Sequence, residues 1–224
     1  ALGQHLQTLC DGYAHWARQE AAHRLARDAA LDRLAFAFAG FRPGQRELTE
    51  AVFRTQRGGR HLLAQAPTGI GKTVATLFAA LRAMPAAHTD QLLYLTPRTT
   101  GRALALDGLQ RLRAAPLRVL ELVAREHACE HPDKACHGDA CPLARGFFDR
   151  LGDARAEAVR AGWLDKGALR AIALKHQVCP YHLGHELQRW ADVVVGDVNH
   201  WFDLNAGAWT RAEADELRVQ LLVD

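Results

Sequence analysis

The pattern of apolar positions changes along the chain. In the first 40 residues, apolar side chains such as Leu2, Leu6 and Leu9 recur at spacings of three and four, which predicts a helical N-terminal extension. Beyond it, helical patterns alternate with short continuous runs of Val and Leu. The predicted helices cover 45–56, 71–84 and 100–114, and the predicted strands cover 61–66, 91–96, 117–124, 191–197 and 219–224. Continuous apolar strands are typical of a parallel sheet covered by helices on both faces, so we expect a doubly wound α/β fold.

Composition excludes two classes of protein. Apolar residues make up 49% of the 224 residues, which is enough to bury a core, so disorder is not the main state. The apolar runs are broken by charge, Gly or Pro well short of the about 20 residues that a membrane span needs, so we expect no membrane association. The net charge of +3 is too small to indicate a partner by itself. The only Met is Met84, and the sequence stops within a predicted strand, so we expect a piece of a longer protein.

A glycine-rich segment lies between the first predicted strand and the next helix, where a phosphate loop belongs. The backbone of such a loop surrounds phosphate oxygens at a helix N-terminus, a Lys reaches the β- and γ-phosphates, and a Thr hydroxyl ligates Mg²⁺. The first position is Ala66 where the usual pattern has Gly, a mild departure. A glycine-rich turn with a chance Lys-Thr is the improbable alternative. The predicted ATP-binding residues are Pro67, Thr68, Gly69, Ile70, Gly71, Lys72 and Thr73.

Asp224 is the predicted acidic partner of this loop. It follows the apolar residues Leu221, Leu222 and Val223, and a carboxylate at the end of a neighbouring strand can hold Mg²⁺ together with Thr73. A surface Asp at a strand end is the common alternative. We therefore predict Lys72, Thr73 and Asp224 as the catalytic residues, with Mg²⁺ on Thr73 and Asp224.

Residues 125–185 predict a mostly helical, Cys-rich insert. Cys129, Cys136, Cys141 and Cys179 could hold either a tetrahedral zinc ion or an iron–sulfur cluster. The absence of tight C-x₂-C pairs favours a cluster, but spacing alone leaves the two close to even. Six nearby His residues could replace a Cys at a zinc site: His127, His131, His137, His176, His182 and His185. Cys10, far away in a helix, is predicted to be a buried structural thiol.

A series of segments along the chain carries a likeness to a known family. The segments are 41–45 (Phe-Arg-Pro-Gly-Gln), the loop 66–73, 93–99 (Leu-Tyr-Leu-Thr-Pro-Arg-Thr), the four-Cys insert ending in Cys179-Pro180-Tyr181, 191–200 and 222–224. In this order, over residues 41 to 224, they resemble the XPD/DinG-like iron–sulfur DNA helicases of superfamily two.

The resemblance implies a RecA-like motor lobe that couples ATP hydrolysis to 5′-to-3′ movement on single-stranded DNA. The four Cys would hold a 4Fe-4S cluster at the junction of single and double strands. Gln45 would contact the adenine, and Arg98 and Thr99 the DNA backbone. The expected divisions are 1–40 as a connector, 41–124 as the first part of the lobe, 125–185 as the cluster insert, and 186–224 as the rest of the lobe up to the Walker B strand.

The resemblance also implies partners outside this sequence. A second RecA-like lobe of the same polypeptide would complete the motor, and an upstream domain such as a nuclease is possible. We expect the 224 residues alone to bind nucleotide weakly and to hydrolyse little or none. A location in the cytoplasm of a bacterial-type cell, at the nucleoid, fits reduced thiols. Two other hypotheses stay open: a P-loop ATPase with a structural zinc insert, and a non-catalytic nucleic-acid-binding module.

Overall fold

The computed structural model describes residues 2–112, 116–203 and 207–224. The strands are β1 (Gln91–Leu95), β2 (Val119–Glu121), β3 (Trp163–Leu164), β4 (Val193–Gly196) and β5 (Val219–Val223). The helices are α1 (Leu2–Leu31), α2 (Gln45–Arg57), α3 (Lys72–Ala87), α4 (Thr99–Leu112), α5 (Arg125–Ala128), α6 (Phe147–Ala161), α7 (Lys166–Lys175), α8 (Pro180–Leu187), α9 (Asn199–Phe202) and α10 (Gly207–Ala214).

The five strands form one parallel sheet in the order β3-β2-β4-β1-β5. The central strand β1 pairs with β4 on one side and with β5 on the other. Because all strands run in the same direction, their carboxyl ends meet at one edge, where ligands bind in open α/β sheets. The expected parallel α/β sheet is confirmed.

Separate hydrophobic clusters cover the two faces of the sheet. On one face, α3 and α4 place Leu77, Leu81 and Leu109 over alternate residues of β1, with Leu31 of α1 in the same cluster. On the other face, α6, α7 and α8 cover the remaining residues of β1, β2 and β4. Both faces of β1 are therefore buried, which explains why its sequence is continuously apolar.

The region 125–185 shares the core of the lobe. Leu151, Leu169 and Leu183 lie in the same cluster as Leu120 and Val194 of the sheet. Strand β3 extends the sheet by pairing with β2. Helices α6, α7 and α8 agree with the expectation of a largely helical segment, whereas residues 129–146 form turns.

The predicted strand at 61–66 is wrong. Helix α2 ends at Arg57, and the chain then runs from 60 to 67 without regular structure. Leu63 is fully exposed, and Leu62 is 44% exposed. A cleft of about 980 Å³ has this segment on one side and β5 on the other. A strand is stabilised by its ladder, and this cleft separates the segment from the edge strand β5, so the described segment forms no ladder.

The N-terminal helix is shorter than predicted and only half docked. It ends at Leu31, although the apolar pattern continues to about residue 40. Its C-terminal half is anchored by Arg27, whose guanidinium donates to Asp192 at 3.1 Å and to the Asp90 carbonyl at 2.9 Å. Its N-terminal half leaves its apolar side chains exposed, and Cys10 is exposed as well, so the prediction of a buried thiol is wrong. Among the described residues, no helix is both long and apolar enough to cross a bilayer.

Candidate functional site

The glycine-rich loop turns directly into helix α3. Gly69 and Gly71 have φ values of 86° and 80°, which non-glycine residues rarely adopt, and α3 begins at the next residue, Lys72. The Lys72 ammonium donates to the carbonyls of Ala66 and Pro67 at 3.3 and 3.4 Å. The loop therefore stands at the N-terminus of a 16-residue helix, where backbone N–H groups and the helix dipole favour an anion.

Two residues before the loop brace it. The Arg42 guanidinium donates to the Gly69 carbonyl. Gln45, only 2% exposed, donates through Nε2 to the Gly71 carbonyl at 3.3 Å, while its Oε1 accepts the Arg42 N–H at 3.0 Å. A Cβ at Gly71 would lie 2.6 Å from that Nε2. In this arrangement the Gln45 amide is engaged with the loop, whereas the resemblance assigns it to the adenine.

Asp224 lies at the carboxyl end of β5, beside the end of β1. Its backbone N–H donates to the Leu95 carbonyl at 3.0 Å. Its side-chain Oδ2 accepts a hydrogen bond of 2.7 Å from the Tyr94 hydroxyl. Thr73 lines the same cleft as Tyr94 and Asp224. The structure thus brings together Thr73 and Asp224, the two predicted Mg²⁺ ligands, beside a residue to which the sequence analysis gave no role.

Tyr94 is suited to hold this position because it stays protonated. Its side chain is 1% exposed. Burial raises the pKa of the Tyr94 phenol, the hydrogen bond to Asp224 raises it further, and the Thr73 hydroxyl opposes the shift. The phenol therefore remains a hydrogen-bond donor to the carboxylate at neutral pH. The only signal in the sequence was the single aromatic residue within the apolar run of β1.

The segment after β1 leaves the core abruptly. Thr96 is 3% exposed, whereas residues 97–100 are all exposed. The Thr96 hydroxyl accepts the Arg98 N–H at 3.4 Å, and a Cβ at Gly101 would overlap that hydroxyl. Arg98 and Thr99 are therefore held at the carboxyl edge of the sheet, next to the strand that contacts Asp224.

Several other arginines of this region are already paired. Arg102 lies 3.6 Å from Glu121, Arg111 lies 2.6 Å from Asp107, and Arg118 contacts both carboxylate oxygens of Glu20. Arg113 lies outside the described residues. In the ranges that the structure describes, the Arg98 side chain forms no ion pair, so its charge is available to an anionic ligand.

The four cysteines of the predicted metal centre lie at different depths. Cys141 and Cys179 are buried, Cys129 is half-buried and Cys136 is exposed. Burial raises the pKa of the Cys179 thiol, the backbone hydrogen bonds of His182 and Tyr181 oppose that shift, and charge on Cys129 and Cys136 adds to it. Within the described chain, however, no three His, Cys, Asp or Glu side chains form a set that could hold a metal ion. The four-Cys ligand set stays a prediction.

Two of the histidines that could replace a Cys have partners of their own. His176 bonds to Glu157 at 2.8 Å, and His185 lies against His200 with their ring centres 6.3 Å apart. Burial, together with the charges of His200 and His182, lowers the pKa of His185 to about 4. Burial also lowers the pKa of His200. These two rings are therefore neutral at pH 7 and belong to the packing beside β4.

Comparison with known protein families identifies the segment that holds the loop. Residues 42–129 match the DEAD/DEAH box helicase family, whose members are superfamily two helicases. The match includes Gln45, the phosphate loop, and Arg98 with Thr99, and it covers somewhat less than half of the chain. The match supports the expectation of an ATP-dependent nucleic-acid helicase domain in this part of the chain. No curated protein matches the chain.

Proposed function

We propose that this chain is the first motor lobe of an ATP-dependent DNA helicase of the iron–sulfur type, moving 5′ to 3′ on single-stranded DNA. The main support is the joint position of the phosphate loop and Asp224. Lys72 and Thr73 open helix α3, and they line the same cleft as Asp224, whose carboxylate accepts a hydrogen bond from Tyr94. Such an arrangement is suited to bind a nucleoside triphosphate with Mg²⁺.

In this proposal the loop residues 67–73 bind the phosphates. Lys72 neutralises the β- and γ-phosphates, while Thr73 and Asp224 would hold the Mg²⁺ that offsets the charge of the phosphate oxygens. Arg98 and Thr99 contact the DNA backbone, because they are exposed and Arg98 has its charge available. The second RecA-like lobe, and an upstream domain such as a nuclease, remain proposed partners in the same polypeptide. A cytoplasmic location at the nucleoid is part of the same proposal.

The finer assignment to the iron–sulfur helicases depends on Cys129, Cys136, Cys141 and Cys179. Its support is their number and the likeness in sequence order. Metal analysis of protein purified without oxygen separates cluster from zinc. Near four iron and four sulfide per chain fits a 4Fe-4S cluster, whereas one zinc ion and no iron would favour the P-loop ATPase with a structural zinc insert. Cys136→Ser should lose iron and keep nucleotide binding.

The motor assignment is tested by Lys72→Ala in the full-length protein, with Lys166→Ala as the matched control. Lys166 is an exposed lysine at the start of α7, on the element after β3. We expect Lys72→Ala to keep binding to single-stranded DNA but to lose nucleotide binding and unwinding, because Lys72 contacts the transferred phosphate. Lys166→Ala should behave as the wild type.

Two results would overturn this assignment. Unwinding that survives in Lys72→Ala would show that the loop does not drive the reaction. A full-length protein that binds DNA but neither binds nucleotide nor unwinds would favour the non-catalytic nucleic-acid-binding module, with the loop kept only as scaffold.

A further inference from the structure

Tyr94 contacts one of the two predicted Mg²⁺ ligands and lies beside the other. Its hydroxyl donates to Asp224 Oδ2 at 2.7 Å, and Thr73 lines the same cleft as Tyr94 and Asp224. These two ligands come from distant parts of the chain, one on the first turn of α3 and the other after β5. The phenol therefore stands where the two ligands meet.

The pairing of strands explains how Tyr94 reaches Asp224. Tyr94 of β1 lies directly opposite Leu222 of β5. Successive side chains of a strand point to opposite faces, so Asp224, two residues beyond Leu222, lies on the same face as Tyr94. A diagonal neighbour across paired strands is within reach of an aromatic side chain. Of the residues on β1, only Tyr94 has a side chain with both the length and the hydroxyl for this contact.

The surroundings of Tyr94 hold its ring in place. It lies between α3 and the sheet, in the cluster that includes Leu77, Leu92 and Val195. With the ring fixed by packing and 1% exposed, the hydroxyl has a set direction. The hydrogen bond occupies Asp224 Oδ2 and leaves Oδ1 for the metal or for a water of its hydration shell. Carboxylates that hold metals are commonly oriented by such hydrogen bonds.

We propose that Tyr94 is a positioning residue for Mg²⁺, which fixes the Asp224 carboxylate, beside the Thr73 hydroxyl, in the orientation that binds the metal on a nucleotide. The proposal rests on the proposed nucleotide-binding function and adds a residue to it. Tyr94 does not touch the nucleotide; it acts through Asp224. Its contribution should therefore appear in the metal dependence of nucleotide binding and be absent when no metal is present.

The test is Tyr94→Phe in the full-length protein, with Tyr13→Phe as the matched control. Tyr13 is 67% exposed on α1, so its hydroxyl can be removed without effect on the site. The probe is a fluorescent ADP analogue, titrated in EDTA and then at increasing Mg²⁺. We expect Tyr94→Phe to raise the half-saturating Mg²⁺ concentration about tenfold, as for other residues that orient metal ligands, with binding in EDTA unchanged.

A second variant separates positioning from a general structural effect. Asp224→Glu keeps the charge but moves the carboxylate relative to the Tyr94 hydroxyl, and it changes an exposed position. We expect it to raise the Mg²⁺ requirement, and the Tyr94→Phe/Asp224→Glu double variant to be less than additive, because both changes break the same contact. This variant also tests the contact if Tyr94→Phe does not fold: an unchanged Mg²⁺ requirement in Asp224→Glu then overturns the proposal.

The outcomes distinguish this inference from the proposed function. If the wild type binds the analogue in a Lys72-dependent way but Tyr94→Phe has a Mg²⁺ requirement within twofold of it, only the role of Tyr94 is overturned. Equal weakening in EDTA and in Mg²⁺ would likewise overturn it, in favour of a structural role. If the wild type binds no nucleotide at all, the proposed function fails and this inference fails with it.

Discussion

The buried contacts of Arg27, which anchor the N-terminal helix, allow a quantitative prediction. Arg27 is 4% exposed and donates to Asp192 at 3.1 Å, to the Asp90 carbonyl at 2.9 Å and to the Thr89 carbonyl at 3.1 Å. Burial opposes its charge, but Asp192 and Asp28 outweigh that effect and leave the pKa of Arg27 raised. The perturbation is Arg27→Met, which fills similar space and removes the charge.

The expected loss of stability depends on the hydrogen bonds that Asp192 keeps when Arg27 is replaced. Removing one partner of a buried ion pair costs about 3–5 kcal/mol, because the other charge stays buried without compensation. Asp192 is itself 4% exposed but still accepts the Arg118 N–H and a bond from His23, each at 2.8 Å. Because these two contacts remain, we expect Arg27→Met to lower the free energy of unfolding by about 3 kcal/mol, the lower end of that range.

The assay is urea unfolding of the full-length protein, followed by hydrogen exchange of α1. Arg24→Met is the control: Arg24 pairs with Asp90 at 2.9 Å but its side chain is 54% exposed, so its loss should cost less than about 1 kcal/mol. Arg27→Met should also speed exchange in the C-terminal half of α1. A loss in Arg27→Met no larger than in Arg24→Met would refute the reasoning that this buried network anchors the helix.

Two further predictions concern pH and DNA. Burial lowers the pKa of His185 to about 4 in the folded protein. As the pH falls below about 6.5, the unfolded chain therefore binds a proton at His185 that the folded chain does not bind until about pH 4. The free energy of unfolding should therefore fall by about 3 kcal/mol as the pH drops from 6.5 to 4, and His185→Gln should remove that part of the fall in urea titrations. Arg98→Ala should weaken binding to single-stranded DNA and lower the slope of log affinity against log salt concentration by about 0.7. Arg111→Ala is the control and should have neither effect, because the Arg111 charge is already paired with Asp107. Equal effects of both variants would contradict a specific role for Arg98.

Local patterns were sufficient for most of the elements around the site. Helices α2 and α3 and strand β1 begin within one residue of their predicted starts and end within three of their predicted ends, because their capping residues and apolar periods are encoded nearby. The segment 61–66 shows the opposite case. Its apolar run is typical of a strand, but a strand forms only when it pairs with another strand. The residues of the segment do not by themselves specify that pairing.

Burial was the second property that local patterns could not decide. Cys10 lies in a helix with apolar neighbours, yet the part of α1 that holds it does not dock. Gln45 begins α2 as predicted, but its amide bonds to Gly71, 26 residues away. A side chain's surroundings depend on which elements meet, and that is set by the packing of the whole domain.

The sequence by itself determined the phosphate loop, because the left-handed glycines, the Lys-Thr pair and the helix start all lie within eight consecutive residues. It also determined the parallel sheet, through strands that are apolar on both faces. Only the tertiary structure decided that the Tyr94 hydroxyl donates to the Asp224 carboxylate, in the cleft that Thr73 also lines. The two residues of that 2.7 Å hydrogen bond are 130 positions apart, and they meet because β1 and β5 pair in register across the sheet.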